Sequence, residues 1–218
     1  MWSAFIAFSL AAIAAAQPQA SVSPIIGILA LPVAHNDCDT FHSLADAGAT
    51  SCFHSLYVKW LEQTGARVVP LPYDLPRAEF HSLLSSLNGV LITGGSTNLL
   101  SLRSPYMEAA GRLYRYALQM HSKGEVWPLW GTCMGLQVLS VLGANSSSVL
   151  LSNAFDSEGL SLPLRLTTAA STSKLLCSTC LPSDTLKTLT ATNSTVNLQY
   201  KICGLNLLLS ALRSSPAD

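Results

Sequence analysis

Four short apolar runs punctuate the first two thirds of the chain: "PIIGILAL" (24–31), "ARVVPL" (66–71), "NGVLIT" (88–93) and "VWPLW" (126–130). Each is too short for a buried helix and reads as a strand covered on both faces. Segments of helical spacing lie between them. Phe53, Leu56, Tyr57, Trp60 and Leu61 recur at that spacing ahead of Gly65, which suits a helix C-cap. "PRAEFHSLLSSL" (76–87) opens on proline, which the first turn of a helix tolerates. Residues 105–122 also open on proline and carry Met107, Ala110, Leu113, Tyr114, Ala117 and Leu118 along one face. A last apolar helix runs from the turn at Cys133 to Leu142. Strand and helix alternating over short connections predict an α/β fold of three layers, a mostly parallel sheet with helices on both faces. Ligands of such sheets bind outside the carboxyl ends of the strands. Gly94-Gly95 and Cys133 both lie at such ends.

With 218 residues, 49% of them apolar and 11% charged, the chain has enough apolar material for one sizeable core. Twelve basic and twelve acidic side chains cancel. No charge excess marks a nucleic-acid or anionic-membrane partner. After residue 145, Ser, Thr and Leu dominate and periodicity fades; "SSVLLS", "LPLRLTT" and "TVNLQYKI" read as short strands. No internal repeat or domain linker is visible, so one domain is expected over 24–198, with a divergent tail at 199–218.

The opening "MWSAFIAFSLAAIAAAQPQA" (1–20) reads as a signal peptide cleaved after Ala16. Its apolar stretch, Trp2 to Ala16, falls short of the roughly 20 residues a membrane span needs, so no anchor is expected. Sequons at Asn145 and Asn193 fit an exported glycoprotein bound for the extracellular space or a vacuole or lysosome. Six cysteines (38, 52, 133, 177, 180, 203) then enter an oxidising compartment. Cys177-Ser-Thr-Cys180 has no second pair at metal-ligand spacing, and every histidine lies at or before 121. A local disulfide or two free thiols is the reading there, and neither metal nor cofactor is expected.

"PLWGTCMGLQVLSVLG" (128–143) sets Cys133 between small residues and runs straight into the apolar helix. A strand-to-helix elbow needs such neighbours, because its backbone is strained and the helix must pack closely on the sheet. The elbow also brings sulfur to the positive end of a helix, which attracts an anionic nucleophile. A buried cysteine packed as a small hydrophobe explains the same residues, and the bare motif leaves both readings open. Gly94-Gly95 at the neighbouring strand end favours the nucleophile, since such a turn can aim an N–H at a developing oxyanion.

"PIIGILALP", "YVKWLEQTGARVVPL", "NGVLITGGSTNL" and "WPLWGTCMGLQVLSVL", in this order, resemble the blocks of γ-glutamyl hydrolases, members of the class I glutamine amidotransferase-like superfamily. The resemblance covers residues 24 to about 160 and fades near 198. It implies a flavodoxin-like fold. It also implies hydrolysis of the γ-linked glutamate chain of folylpoly-γ-glutamates through a cysteine thioester, with this small molecule as the partner. Carried over by position, Cys133 matches the nucleophile and the amides of Gly95 and Met134 the oxyanion hole. Gly94 and Ser96 fall at the substrate turn, and Arg103 is a further candidate for glutamate recognition.

One family feature is missing. Members carry a downstream "WHPE"-like block whose histidine serves as the base, and this sequence has no histidine after His121. A truncation, an alternative transcript or a frameshifted gene model would account for that. The five histidines present (35, 42, 54, 81 and 121) read as surface or helix-face residues, with His54 and His121 inside helices. Two rival functions stay open. Cys133-x-Gly135-x-Gln137 also fits a glutaminase of the amidotransferase type, and a protein retaining only the pocket would bind the folate without turnover.

Overall fold

The apolar run at 24–31 splits into β1 (Ile25–Leu29) and a two-residue β2 (Leu31–Pro32). A computed structural model of the chain describes residues 23–33 and 48–151. Beyond these it describes 154, 160–163, 165–173, 176, 181–191 and 196–198. The leader 1–20, His35, His42, Cys38, the Cys177/Cys180 pair, Asn193, Cys203 and the tail fall outside the described residues.

β2 pairs antiparallel with β3 (Ser51–Cys52). Then follow α1 (Ser55–Glu62), β4 (Arg67–Leu71), α2 (Arg77–Ser85), β5 (Gly89–Ile92), α3 (Pro105–Ser122), β6 (Leu129–Gly131) and α4 (Met134–Ala144). β1, β4, β5 and β6 form one parallel sheet in the order β4-β1-β5-β6. The chain steps outward from β1 to β4, then crosses back over β1 to reach β5. With right-handed crossovers, this reversal places α1 on one face and α2 and α3 on the other. It also makes the β1/β5 edge the switch point beside which such sheets bind ligands. The fold is the α/β architecture expected from the sequence, of flavodoxin-like type.

The central strands show why their sequences are unbroken apolar runs. All four residues of β5 are buried, and Ile28 and Leu29 of β1 are fully enclosed. Each such side chain contributes about 1.5–3 kcal/mol by leaving water. Asn88 sets the register where β5 begins: its N–H donates to Ile25 O at 2.7 Å, and its Oδ1 accepts the Ile25 N–H at 2.8 Å. Trp127 Nε1 donates to Leu87 O at 2.8 Å in the interior, locking the entry to β6.

Several expectations need correction. α1 has no buried residue; Leu56 and Trp60 are 61% and 44% exposed, because the helix lies at the edge of the core and only Tyr57, Val58 and Leu61 are half-buried. Phe53 precedes the helix, and His54 caps it rather than sitting inside it, its Nδ1 accepting the Leu56 N–H at 3.2 Å. α3 spans 105–122 as expected from its spacing, with Met107, Ala110 and Leu113 buried, but Leu118 is exposed in its last turns. β6 begins only at Leu129, since Pro128 has no N–H to give a ladder. "SSVLLS" forms a 3-10 turn at Ser147–Val149, where the Ser146 hydroxyl accepts from Ser148 N. Of "LPLRLTT", only Leu162 is in a strand, β7 (Leu160–Leu162), which pairs with β8 (Val196–Leu198). α5 (Ser183–Ala191) was not anticipated, although Pro182 and Asp184 are ordinary helix-start signals.

Candidate active site

Two strand ends build the site. β5 closes on Thr93 and then opens into Gly94-Gly95; β6 closes on Gly131-Thr132 and turns through Cys133 into α4. Thr132 N–H still donates to Ile92 O at 3.0 Å, so the two strands remain paired up to the turn. Cys133 has φ 54° and ψ −112°. Apart from Asn145, it is the only non-glycine residue with positive φ among the described residues. A cysteine held there costs on the order of 1–3 kcal/mol, which the packing around it must offset.

That packing is glycine-dependent. A Cβ on Gly135 would overlap the carbonyl of Ile92, with Ile92 C at 2.8 Å and Thr93 O at 3.1 Å. A Cβ on Gly131 would overlap the Gly135 backbone and lie 2.7 Å from Leu136 N. The first turn of α4 therefore rests directly on the end of β5, and no side chain fits between. Gly135 N–H donates to Thr132 O at 2.8 Å and Leu136 N–H to Cys133 O at 3.0 Å, starting the helix at the cysteine itself.

Cys133 is exposed and free. Met134 is the first residue of α4, so its N–H has no intrahelical acceptor by position. Its side chain is buried and anchors the turn. Across from it, an ideal Cβ on Gly94 would sit 3.1 Å from Cys133 Cβ and 3.6 Å from Thr132 O. The two glycine-bearing turns are thus in van der Waals contact. Gly95 follows at φ 139°, open to residues without a Cβ, and is exposed together with Ser96. Arg103 is exposed in the loop before α3.

Tyr57 is the contributor that sequence reading missed. Its hydroxyl accepts the Gly94 N–H at 2.9 Å and lies 2.9 Å from where a Gly94 Cβ would be. In the sequence it is one apolar-face residue among five, and nothing there marks its hydroxyl. Beside it, Trp60 and Trp130 lie with ring centroids 6.2 Å apart, and Trp130 Nε1 donates to Thr132 Oγ1 at 3.1 Å. Both indoles are about half exposed, at 44% and 49%. They give the turn an open aromatic flank.

Neither a metal cluster nor an imidazole on the sulfur exists among the described residues. His54 starts α1 at the same rim with Nδ1 engaged in its cap. His81 packs edge-on against Tyr116 at 5.8 Å, and His121 lies in the last turn of α3, at the far end of the sheet. Cys52, by contrast with Cys133, is disulfide-bonded.

The Peptidase C26 family matches residues 24–146, more than half of the chain and all of the parallel sheet. The γ-glutamyl hydrolase of Rattus norvegicus is 39% identical over 141 residues, which are 65% of this chain and 42% of that protein. That of Mus musculus is 36% identical over 177 residues, 81% of this chain and 51% of its own length. γ-Glutamyl hydrolase B of Dictyostelium discoideum is 31% identical over 154 residues, 71% and 42% of the two chains. The chain spans about two fifths to one half of these relatives. With sheet, elbow and facing glycine turn all inside the matched segment, the chain belongs to the γ-glutamyl hydrolase family, Peptidase C26.

Proposed function

We propose that Cys133 is the nucleophile of a γ-glutamyl hydrolase reaction. The observation that carries the proposal is the exposed sulfur on a positive-φ elbow, in contact with the Gly94 turn. The thiolate attacks the γ-carbonyl carbon of the scissile amide, and negative charge moves onto the carbonyl oxygen. The amides of Met134 and Gly95 supply the two donors for that oxyanion; one such donor is worth roughly 10²–10³ in rate. The C–N bond then breaks, the amine takes a proton and leaves, and a γ-glutamyl thioester remains on sulfur. Water attacks the thioester, releasing the acid and restoring the thiol. No cofactor takes part.

The relatives named above are γ-glutamyl hydrolases. The substrate we read for this chain, as its sequence resemblance implies, is a folate bearing a γ-linked glutamate chain, met in the secretory pathway or a vacuolar or lysosomal lumen. In this reading Ser96 at the turn and Arg103 in the loop before α3 supply a hydroxyl and a cation for glutamate carboxylates. Removing the base of a nucleophilic triad costs on the order of 10⁴–10⁶ in rate. Among the described residues no imidazole reaches Cys133, so the proposed reaction runs slowly unless a base comes from outside them. That same observation favours a second reading, binding of the polyglutamate without turnover.

Incubation with a γ-linked folate diglutamate separates the two. Glutamate released by the wild type and not by Cys133→Ala supports the hydrolase. Saturable binding with no release, unchanged in Cys133→Ala, replaces it with the binder. Release that persists at the wild-type rate in Cys133→Ala refutes the nucleophile.

A further inference from the structure

Away from Cys133, on the face carried by α2 and α3, two neighbouring cavities of about 400 and 210 Å³ share three lining side chains, Arg77, Arg112 and Arg115. Neither cavity is lined by Cys133, Gly94 or Gly95. Three guanidiniums gathered in a chain of zero net charge repel one another unless something anionic offsets them. None of the three makes an ion pair with a carboxylate among the described residues.

Arg112 is the telling member. Its guanidinium carbon lies 5.5 Å from the centroid of the Phe80 ring, so the ring fixes the side chain. Its Nη1 is fully shielded by protein and donates no hydrogen bond. A buried charged donor without an acceptor is costly, and such groups in native proteins call for an unseen water or ion. Gly111 helps build the recess: a Cβ there would sit 3.2 Å from Arg115 Nη1, so its absence lets Arg115 turn inward. One acid, Glu108, lines the larger cavity and leaves the positive charge in excess.

From this geometry we infer a second ligand site, independent of the thiol: the Arg77–Arg112–Arg115 recess binds a small polyanion through its carboxylate or phosphate oxygens. Planar guanidiniums match both groups with paired N–H donors, and a polyanion engages several of them at once. Arg112 supplies the fixed, half-buried anchor, while Arg77 and Arg115 close on the ligand from the exposed edge.

Calorimetric titration of the full chain with pyrophosphate and, separately, with citrate at constant ionic strength tests the site and identifies its source. Saturable binding of pyrophosphate alone points to phosphate compounds, and of citrate alone to polycarboxylates; either supports the site, as does binding of both. Arg112→Gln weakens binding at least tenfold. Should that variant not fold, Arg115→Gln, at an exposed position, weakens it at least threefold with the circular dichroism unchanged. Lys187→Gln on α5 and Cys133→Ala leave it as it is. Absence of saturable binding for both anions overturns the inference, as do wild-type affinities in the two arginine variants or loss of binding in Cys133→Ala.

Discussion

The hydroxyl of Tyr57 accepts the N–H of Gly94 at 2.9 Å, tying α1 to the turn that faces Cys133. The bond satisfies a half-buried backbone donor and holds the turn against the elbow, whose Cβ lies 3.1 Å from where a Gly94 side chain would start. Replacing Tyr57 by Phe keeps the ring and leaves that N–H without its acceptor. The expected loss is about 1 kcal/mol of stability, read from urea unfolding. Glutamate release by the variant falls as well, because the Gly95 amide next along the turn is no longer held. Unchanged stability and unchanged release would show that the turn is set by other contacts.

Gly135→Ala places a methyl group in the carbonyl of Ile92. Backbone cannot rotate aside as a side chain can, so α4 must lift from β5. We expect a loss of about 3 kcal/mol or more, or no folded protein at all. Gly124→Ala is the contrasting substitution. A Cβ there meets nothing within 4 Å, and its cost is confined to the strain of φ +77°. A thermal melt of the two variants ranks them; equal losses would contradict the close packing of elbow on strand.

Tyr106 is 1% exposed, and its hydroxyl has no hydrogen-bond partner among the described residues. Burial raises its pKa above the usual value of 10.0. The phenol ionises first in the unfolded chain, so the unfolded state holds fewer protons. Stability is therefore intact below pH 10 and falls as pH climbs above it, towards the raised native value. Tyr106→Phe removes this alkaline slope. It also removes a buried hydroxyl that has nothing to bond, so neutral-pH stability holds or rises by up to about 1 kcal/mol. Unfolding free energies measured from pH 7 to 11 check both outcomes.

Much of this architecture was legible in the residues. β1, β5 and α3 are central or strongly amphipathic, and burial on both faces or along one stripe writes itself into periodicity. β4 was legible as a strand, but it lies at the sheet edge with only Leu71 buried and is not covered on both faces as its apolar run suggested. The elbow was legible because a strained turn packed on a strand tolerates only small neighbours, and Gly131 and Gly135 both prove to have no room for a Cβ. Tyr57 was not, since its role depends on a hydrogen bond to a residue 37 positions away. α1 misled for a related reason: its spacing is helical, yet the helix lies at the border of the core and leaves Leu56 and Trp60 in solvent. The arginine recess was also hidden, because Arg77 and the Arg112/Arg115 pair meet only when α2 and α3 share a face.

Cys133 is exposed and free, whereas Cys52 is disulfide-bonded. Iodoacetamide applied to the native, unreduced protein should therefore label Cys133 and spare Cys52, as read by peptide mass mapping. Label on Cys52 with Cys133 unmodified would reverse the assignment of the accessible thiol.

The central claim, a thioester on Cys133, is tested most directly by acid-quenching the protein during reaction with a γ-linked folate diglutamate and weighing it intact. The account predicts a mass increase equal to the folate acyl group in the wild type, located on the Cys133 peptide and absent from Cys133→Ala. Glutamate released while Cys133 stays unmodified in the quenched wild type, and released equally by Cys133→Ala, would contradict it.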